Sequence, residues 1–171
     1  MHNKHQELIA EKVAEIPMAH GKVALVDSCD YDELSKYKWH ANKSTHTSYA
    51  QTNGVKENGL YTKKYMHRII LGLKKGEVCD HINGDGLDNR RSNLRRATVS
   101  QNAVNKRPHG SSKFKGVSWS KKDKRYVTYL QKEGVPTYLG SYTNEIDAAA
   151  AYNRAAIAVH GEFVRLNVLT C

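Results

Sequence analysis

The sequence predicts an α+β protein. A β-rich N-terminal part leads into a strand–loop–strand–helix unit, and a three-stranded antiparallel sheet packed on one helix follows. Three observations carry this expectation. Short β-prone runs at 48–52 and 60–65 are punctuated by Asn53-Gly54 and Asn58-Gly59, dipeptides that favour tight hairpin turns. From Val78 to Asn102 an apolar pair leads into Asp80-His81, a turn rich in Gly, Asn and Asp follows, and then come a short strand-like run at Asn93-Leu94-Arg95 and a helical segment from near Ser100. From Phe114 onward, three strand-like runs precede an alanine-rich helical pattern that ends at Gly161.

Taken in order, residues 5–15 read as a helix. Leu8, Ile9, Lys12 and Val13 give it a modest apolar stripe, and Pro17 stops it. Residues 21–27 are a strand signal. Residues 30–37 read as a short helix with Asp30 at its N-cap. Residues 38–41, 48–52 and 60–65 are β-prone, and 66–72 is an apolar helical turn closed by Gly72. The chain is expected to divide into residues 1–105, with the strand–loop–strand–helix unit at about 66–105, a basic linker at 106–112, and a second module at 113–171. In that module Asn144 is placed to cap the long helix, with Asp147 three residues on.

Lys+Arg number 27 against 17 Asp+Glu, a net charge of +10. Such a balance points to a polyanionic partner, nucleic acid first. No run approaches the ~18–20 apolar residues of a transmembrane helix, and the N-terminus lacks a signal-peptide core, so a cytoplasmic protein is expected. Cys29, Cys79 and Cys171 are far apart and form no Cys-x-x-Cys, so neither a disulfide framework nor a structural zinc is expected.

The chemistry concentrates at 78–102. Asp80 offers a hard carboxylate oxygen and Asn102 an amide carbonyl, donors that suit Mg²⁺ or Mn²⁺. Neighbouring side chains of a strand point to opposite faces. One group could therefore hold metal while His81 faces a water, and a neutral histidine is suited to take that water's proton. Asn93 could bond one ring nitrogen and fix the tautomer.

Asp80-His81, the Asn83-Gly84-Asp85 turn, Asn93-Leu94-Arg95 and Asn102, in this order, resemble the HNH motif of ββα-metal nucleases, found in phage and intron homing endonucleases. The resemblance implies His81, Asn93 and Asn102 as signature positions, Asp80 and Asn102 as metal ligands, and His81 as general base. Met66-His67-Arg68 resembles the segment that often precedes this motif. His67 could face the phosphate or metal, or serve packing; Arg68 could bind a phosphate or make an ordinary salt bridge. Arg95 is a further candidate for DNA contact.

Residues 113–168 resemble the plant Apetala/ethylene-response-factor DNA-binding domain. The matching positions are Lys115-Gly116-Val117, Tyr138-Leu139-Gly140-Ser141-Tyr142, Asp147-Ala148-Ala149, Ala151-Tyr152-Asn153, Ala155-Ala156 and Leu166-Asn167. That family lays its sheet in the major groove. The resemblance implies Lys115, Ser118, Trp119, Lys121, Lys122, Lys124, Arg125, Thr128 and Thr137 as DNA contacts. Lys115 and Ser118 stand where arginine is usual, and lysine lacks the bidentate fork that reads bases, so phosphate contact is the firmer expectation.

Together these readings describe a phage-type HNH homing endonuclease acting on double-stranded DNA with Mg²⁺ or Mn²⁺ in a bacterial host's cytoplasm, as monomer or homodimer. The alternatives are a catalytically inactive DNA-binding regulator, and an RNA-directed or colicin-like toxic nuclease.

Overall fold

The computed structural model describes residues 12–57, 60–106, 108, 111–132 and 134–169. The chain forms two compact units, 1–96 and 97–171. The division falls ahead of the short helix that carries Asn102, whereas the sequence suggested a break at 106–112.

The first unit begins with β1 (Val13–Pro17) and β2 (Val23–Asp27), an antiparallel pair in which Ala14 faces Val26 and Ile16 faces Ala24. A helix was expected at 5–15. Residues 5–11 lie outside the described residues, and Val13-Ala14-Glu15 is strand instead. In β1 Ile16 is buried and Ala14 half-buried while Val13, Glu15 and Pro17 stand in solvent, a period of two that the partner strand rewards. α1 (Ser28–Leu34) follows. Its N-cap is Asp27, not Asp30; Asp30 sits in the first turn, where a carboxylate suits the helix dipole.

β3 (Trp39–Lys43), β4 (Ser48–Glu57) and β5 (Leu60–Tyr65) form a meander. Asn53-Gly54 is no hairpin turn. β4 runs through it, and the register with β5 shifts between Thr52 and Val55, a bulge that Asn and Gly accommodate. Asn58-Gly59 lies outside the described residues. α2 (Met66–Ile70) leads to β6 (Val78–His81), which pairs with β7 (Leu94–Ala97).

One core serves the whole unit. Val26, Leu34, Trp39, Ala50, Met66, Ile70 and Leu94 pack together, with Cys79 and Leu87 against them. Leu34 and Met66 are fully buried, and each such side chain contributes about 1.5–3 kcal/mol. The β-rich N-terminal part is therefore the floor on which β6, β7 and their loop rest.

The second unit starts with α3 (Val99–Val104), which Thr98 opens through a capping box: Gln101 N donates to Thr98 Oγ1 (3.1 Å) and Thr98 N to Gln101 Oε1 (2.8 Å). β8 (Val117–Ser120), β9 (Arg125–Lys132) and β10 (Val135–Tyr142) form an antiparallel sheet in the order β10-β9-β8. α4 (Glu145–His160) packs on it through Ala148, Ala149, Tyr152 and Ala156. Asn144 Oδ1 caps α4 by accepting from Ile146 N (2.8 Å). Gly116, at φ +75°, lies so close to Tyr152 that a Cβ there would come within 2.1 Å of the ring. A glycine is required for sheet and helix to meet.

Candidate active site

β6 ends on Asp80 and His81, both buried although polar. Buried polar groups need partners; Asp80 meets Arg95 on β7, and the loop from Ile82 to Asn93, held by its own hydrogen bonds, supplies one to His81. Asn83 Nδ2 donates to Asp88 Oδ2 (2.8 Å), and Asp85 N donates to Asn83 Oδ1 (2.8 Å). Arg90 grips Asp88 with Nε (2.8 Å) and Nη2 (2.6 Å), and this guanidinium holds the Asp88 carboxyl below its usual range. Gly86 N donates to Thr47 Oγ1 (2.9 Å), and a Cβ on Gly86 would come within 2.5 Å of Ser48 O and of the Tyr49 ring. The loop thus lies flat against the β3–β4 turn and the start of β4.

Asn93 closes the loop. Its Oδ1 accepts from Asn83 N (3.0 Å) and its Nδ2 donates to Asp88 O (2.7 Å). The sequence reading gave Asn93 to the His81 ring; both of its polar atoms are engaged elsewhere. The residue at the ring is Asn89, which sequence reasoning passed over. His81 Nε2 lies 3.4 Å from Asn89 Oδ1. Asn89 Nδ2 faces the carbonyls of Leu87 (3.2 Å) and Gly86 (3.5 Å), so its carbonyl must be the end that meets the imidazole. An acceptor at Nε2 puts the proton there and leaves the lone pair on Nδ1. Burial lowers the His81 pKa, against the opposing pull of Asn89, Asp80, Asp85 and Asp88. The ring is neutral at pH 7, the state a general base requires.

His67, on α2, meets His81 edge-on, with ring centroids 5.2 Å apart. It stacks on Tyr65 at 5.6 Å and meets Tyr49 at the same distance. Burial, then the nearby charges of His81 and Arg68, push its pKa down to about 3. Its Nδ1 is buried with no hydrogen-bond partner among the described residues. Around neutral pH His67 is therefore an uncharged wall of the His81 pocket.

Two arginines expected at DNA have protein partners. Arg68 donates through Nη1 to Glu77 O (2.8 Å) and through Nη2 to Lys74 O (2.7 Å), stapling the turn between α2 and β6. Arg95 donates to Asp80 Oδ2 through Nε (2.8 Å) and Nη2 (2.6 Å).

Residues 64–104, from the end of β5 through α3, match a family model described as HNH endonuclease. The protein named "Uncharacterized HNH endonuclease L560" of Acanthamoeba polyphaga mimivirus is 34% identical over 153 residues, covering 86% of this chain and 75% of that relative. This chain belongs to the HNH endonuclease family. "Protein 3.8" of Escherichia phage T7 is 33% identical over 95 residues, covering 54% of this chain and 78% of that protein. No solved structure matches the chain. The HNH endonuclease is an enzyme, and membership of the family implies DNA as its substrate. None of the helices described is long and apolar enough to cross a membrane.

Among the described residues of this endonuclease, no group of three His, Cys, Asp or Glu side chains is arranged to hold a metal ion. Asp80 is a hard oxygen donor, but its carboxylate already carries a guanidinium. Such a donor fits a water-rich ion like Mg²⁺, which binds through one or two carboxylates and substrate phosphates, and not a caged one. Asn102 lies half-buried on α3, and its backbone N donates to Thr98 O (3.0 Å).

In the second unit the residues expected at DNA fall into two groups. Lys115 Nζ donates to the carbonyls of Val104 and Lys106, and burial with the neighbouring charges of Arg165 and Lys106 lowers its pKa to about 8. Thr128 is fully buried, and its hydroxyl donates to Gly116 O (2.9 Å). These two hold the module together in place of the phosphate contacts the sequence suggested. Lys121, Lys122, Lys124, Arg125 and Thr137 are exposed, Ser118 is half-buried, and Trp119 stands 44% exposed, edge-on to Tyr126 at 4.8 Å.

The sheet face away from α4 also shows a pair that the sequence reading did not place at DNA. Tyr129 and Tyr138, register partners on β9 and β10, have ring centroids 5.3 Å apart and are 44% and 54% exposed. The signal was present in the alternation of β9. Thr128 and Leu130 point inward, so Tyr129 between them must point out.

Proposed function

We propose that this HNH endonuclease is a metal-dependent nuclease that hydrolyses phosphodiester bonds of double-stranded DNA at a recognised site. The observation that carries the reading is the His81 pocket: a buried, neutral imidazole whose Nε2 faces an oriented acceptor, leaving Nδ1 as the basic atom. In this reading His81 Nδ1 takes the proton of the attacking water, and Asn89 keeps the ring in the competent tautomer. His67 and Tyr49 keep the ring dry and at its orientation. The motif resemblance names Asp80 and Asn102 as the oxygen donors; for Asn102 the reading rests on the motif alone. What a bound Mg²⁺ or Mn²⁺ supplies is stabilisation of charge on the phosphoryl and leaving oxygens. Products carry 5′-phosphate and 3′-hydroxyl ends.

The second unit holds DNA in this proposal, in the manner of the Apetala/ethylene-response-factor domains it resembles. Lys121, Lys122, Lys124 and Arg125 meet phosphates, while Ser118, Tyr129 and Tyr138 meet the groove; Trp119, on Tyr126 and on the face of Val117 and Thr128, braces the sheet from the other side. A target site held by a dedicated module fits the homing type, and the viral origin of both relatives supports a phage-type role.

The test is conversion of supercoiled DNA to open circles with Mg²⁺ and with EDTA, for the wild type and His81→Ala. Cleavage by the wild type should need the metal. His81→Ala should lower the rate at least roughly 100-fold, the low end for general-base catalysis, while DNA affinity stays within a few-fold. A fully active His81→Ala protein removes His81 as the base. A folded wild type that binds DNA tightly and cuts none would shift the reading to a regulator.

A further inference from the structure

The Asp80–Arg95 pair is a disagreement between what the site must bind and what it now holds. Asp80 is almost fully enclosed, and the Arg95 side chain is itself only 13% exposed. They stand on the paired strands β6 and β7. Two donors of Arg95, Nε (2.8 Å) and Nη2 (2.6 Å), reach Asp80 Oδ2. A carboxylate so neutralised attracts a divalent cation poorly, and a guanidinium within hydrogen-bond reach repels one. Among the described residues no three-donor cluster stands by to outweigh this.

We propose that Arg95 is a built-in competitor for the metal: without DNA it occupies Asp80, and a DNA phosphate releases Asp80 by drawing the guanidinium away. This rests on the metal-dependent reading above. Three physical points support it. A buried carboxylate cannot be left unpaired, because removing one partner of a buried ion pair is strongly destabilising; exchanging Arg95 for a cation in one step avoids that state. A phosphate matches the planar guanidinium at least as well as a carboxylate does. The net charge of +10 draws DNA phosphates to the protein before any metal is bound. The consequence is linkage: DNA must tighten metal binding, and metal must tighten DNA binding by the same factor. The enzyme would not carry a charged metal centre between targets.

The experiment is a Mn²⁺ titration followed by the electron paramagnetic resonance of the free ion. It uses the full chain, with and without a mixed-sequence DNA duplex, in a His81→Ala background so that the DNA survives. Without DNA, Arg95→Gln should bind Mn²⁺ roughly tenfold more tightly than the parent, a typical coupling factor. Adding Asp80→Asn to it should erase that gain. DNA should tighten the parent's Mn²⁺ affinity by a similar factor and leave Arg95→Gln nearly unchanged. Equal or weaker binding by Arg95→Gln would mean that Arg95 positions Asp80 and does not compete, and the proposal falls. Should that variant fail to fold, the parent alone decides: Mn²⁺ affinity that ignores DNA overturns the proposal. A different failure marks the broader reading. If folded parent and variant bind no Mn²⁺ with or without DNA, metal dependence itself is wrong.

Discussion

The loop between β6 and β7 and the outer face of the β8–β10 sheet are both polar, yet they are built in opposite ways. In the loop, side chains answer one another: Asn83 to Asp88, Arg90 to Asp88, Asn93 to both ends, Asn89 to His81. On the sheet, Tyr129, Tyr138 and the lysines of the β8–β9 turn stand largely in solvent. A reacting group needs its geometry fixed before the substrate arrives, because positioning is a large part of catalysis. A surface that meets a phosphate backbone needs charge and reach, and rigid partners would only compete with the ligand. The difference teaches that charge and polarity in the sequence do not distinguish the two uses; the partner does.

The sharpest way to break this contrast is Asn89. Asn89→Ala should lower single-turnover cleavage by roughly 100-fold at neutral pH, since the general base loses its tautomer and orientation. Asn89→Asp keeps an acceptor and should retain much of the rate. Its carboxylate would raise the His81 pKa, so the acid limb of the pH–rate profile should move to higher pH. A wild-type rate in Asn89→Ala would show that something else orients the ring.

Asn93 tests whether the loop is as tightly clasped as its bonds imply. Asn93→Ala leaves Asn83 N and Asp88 O without their partner and should cost about 1–3 kcal/mol in urea denaturation. Tyr138→Ser, on the open face, should stay within about 0.5 kcal/mol. Equal losses at the two sites would erase the distinction.

His67 gives the pocket an acid limit. Its folded pKa of about 3 lies below the unfolded value near 6.5. The unfolded chain therefore takes up the proton first, and this stabilising contribution, complete above about pH 6.5, is lost as pH falls toward 3. At pH 5 the loss is about 2 kcal/mol. His67→Phe should flatten the stability profile between pH 7 and 5, and an unchanged profile would mean that His67 takes up its proton at the same pH in the folded and the unfolded chain.

The smallest effect separates tied from untied cations. Lys122→Ala should reduce the salt slope of DNA binding by about one. Arg68→Ala, whose guanidinium holds backbone carbonyls, should leave that slope unchanged while lowering stability.

Much of the architecture was legible because local and tertiary preferences agree. The alanine stripe and Asn144 cap of α4 mark a helix that needs only a sheet beneath it, and β6, the polar turn and β7 follow the pattern of their residues. The strand at Val13–Pro17 was not legible, since a few apolar residues suit either period and β2 decides. Nor was the bulge at Asn53-Gly54, where a turn dipeptide lies inside a continuous ladder. At the site, Asp80 and His81 stand out by type and order. Which of Asn83, Asn89 and Asn93 reaches the imidazole depends on how the loop is folded, and spacing carries no such information. Arg68, Arg95 and Lys115 read as surface cations because a sequence shows charge and hides the acceptor.

Gly86 carries a genetic consequence. Every other amino acid brings a Cβ, and that atom alone would strike the Ser48 carbonyl and the Tyr49 ring. No missense change at this codon is therefore mild, even though the residue itself is neither nucleophile nor base. In a saturation library selected for DNA cutting, position 86 should be as barren as the histidine it helps to enclose.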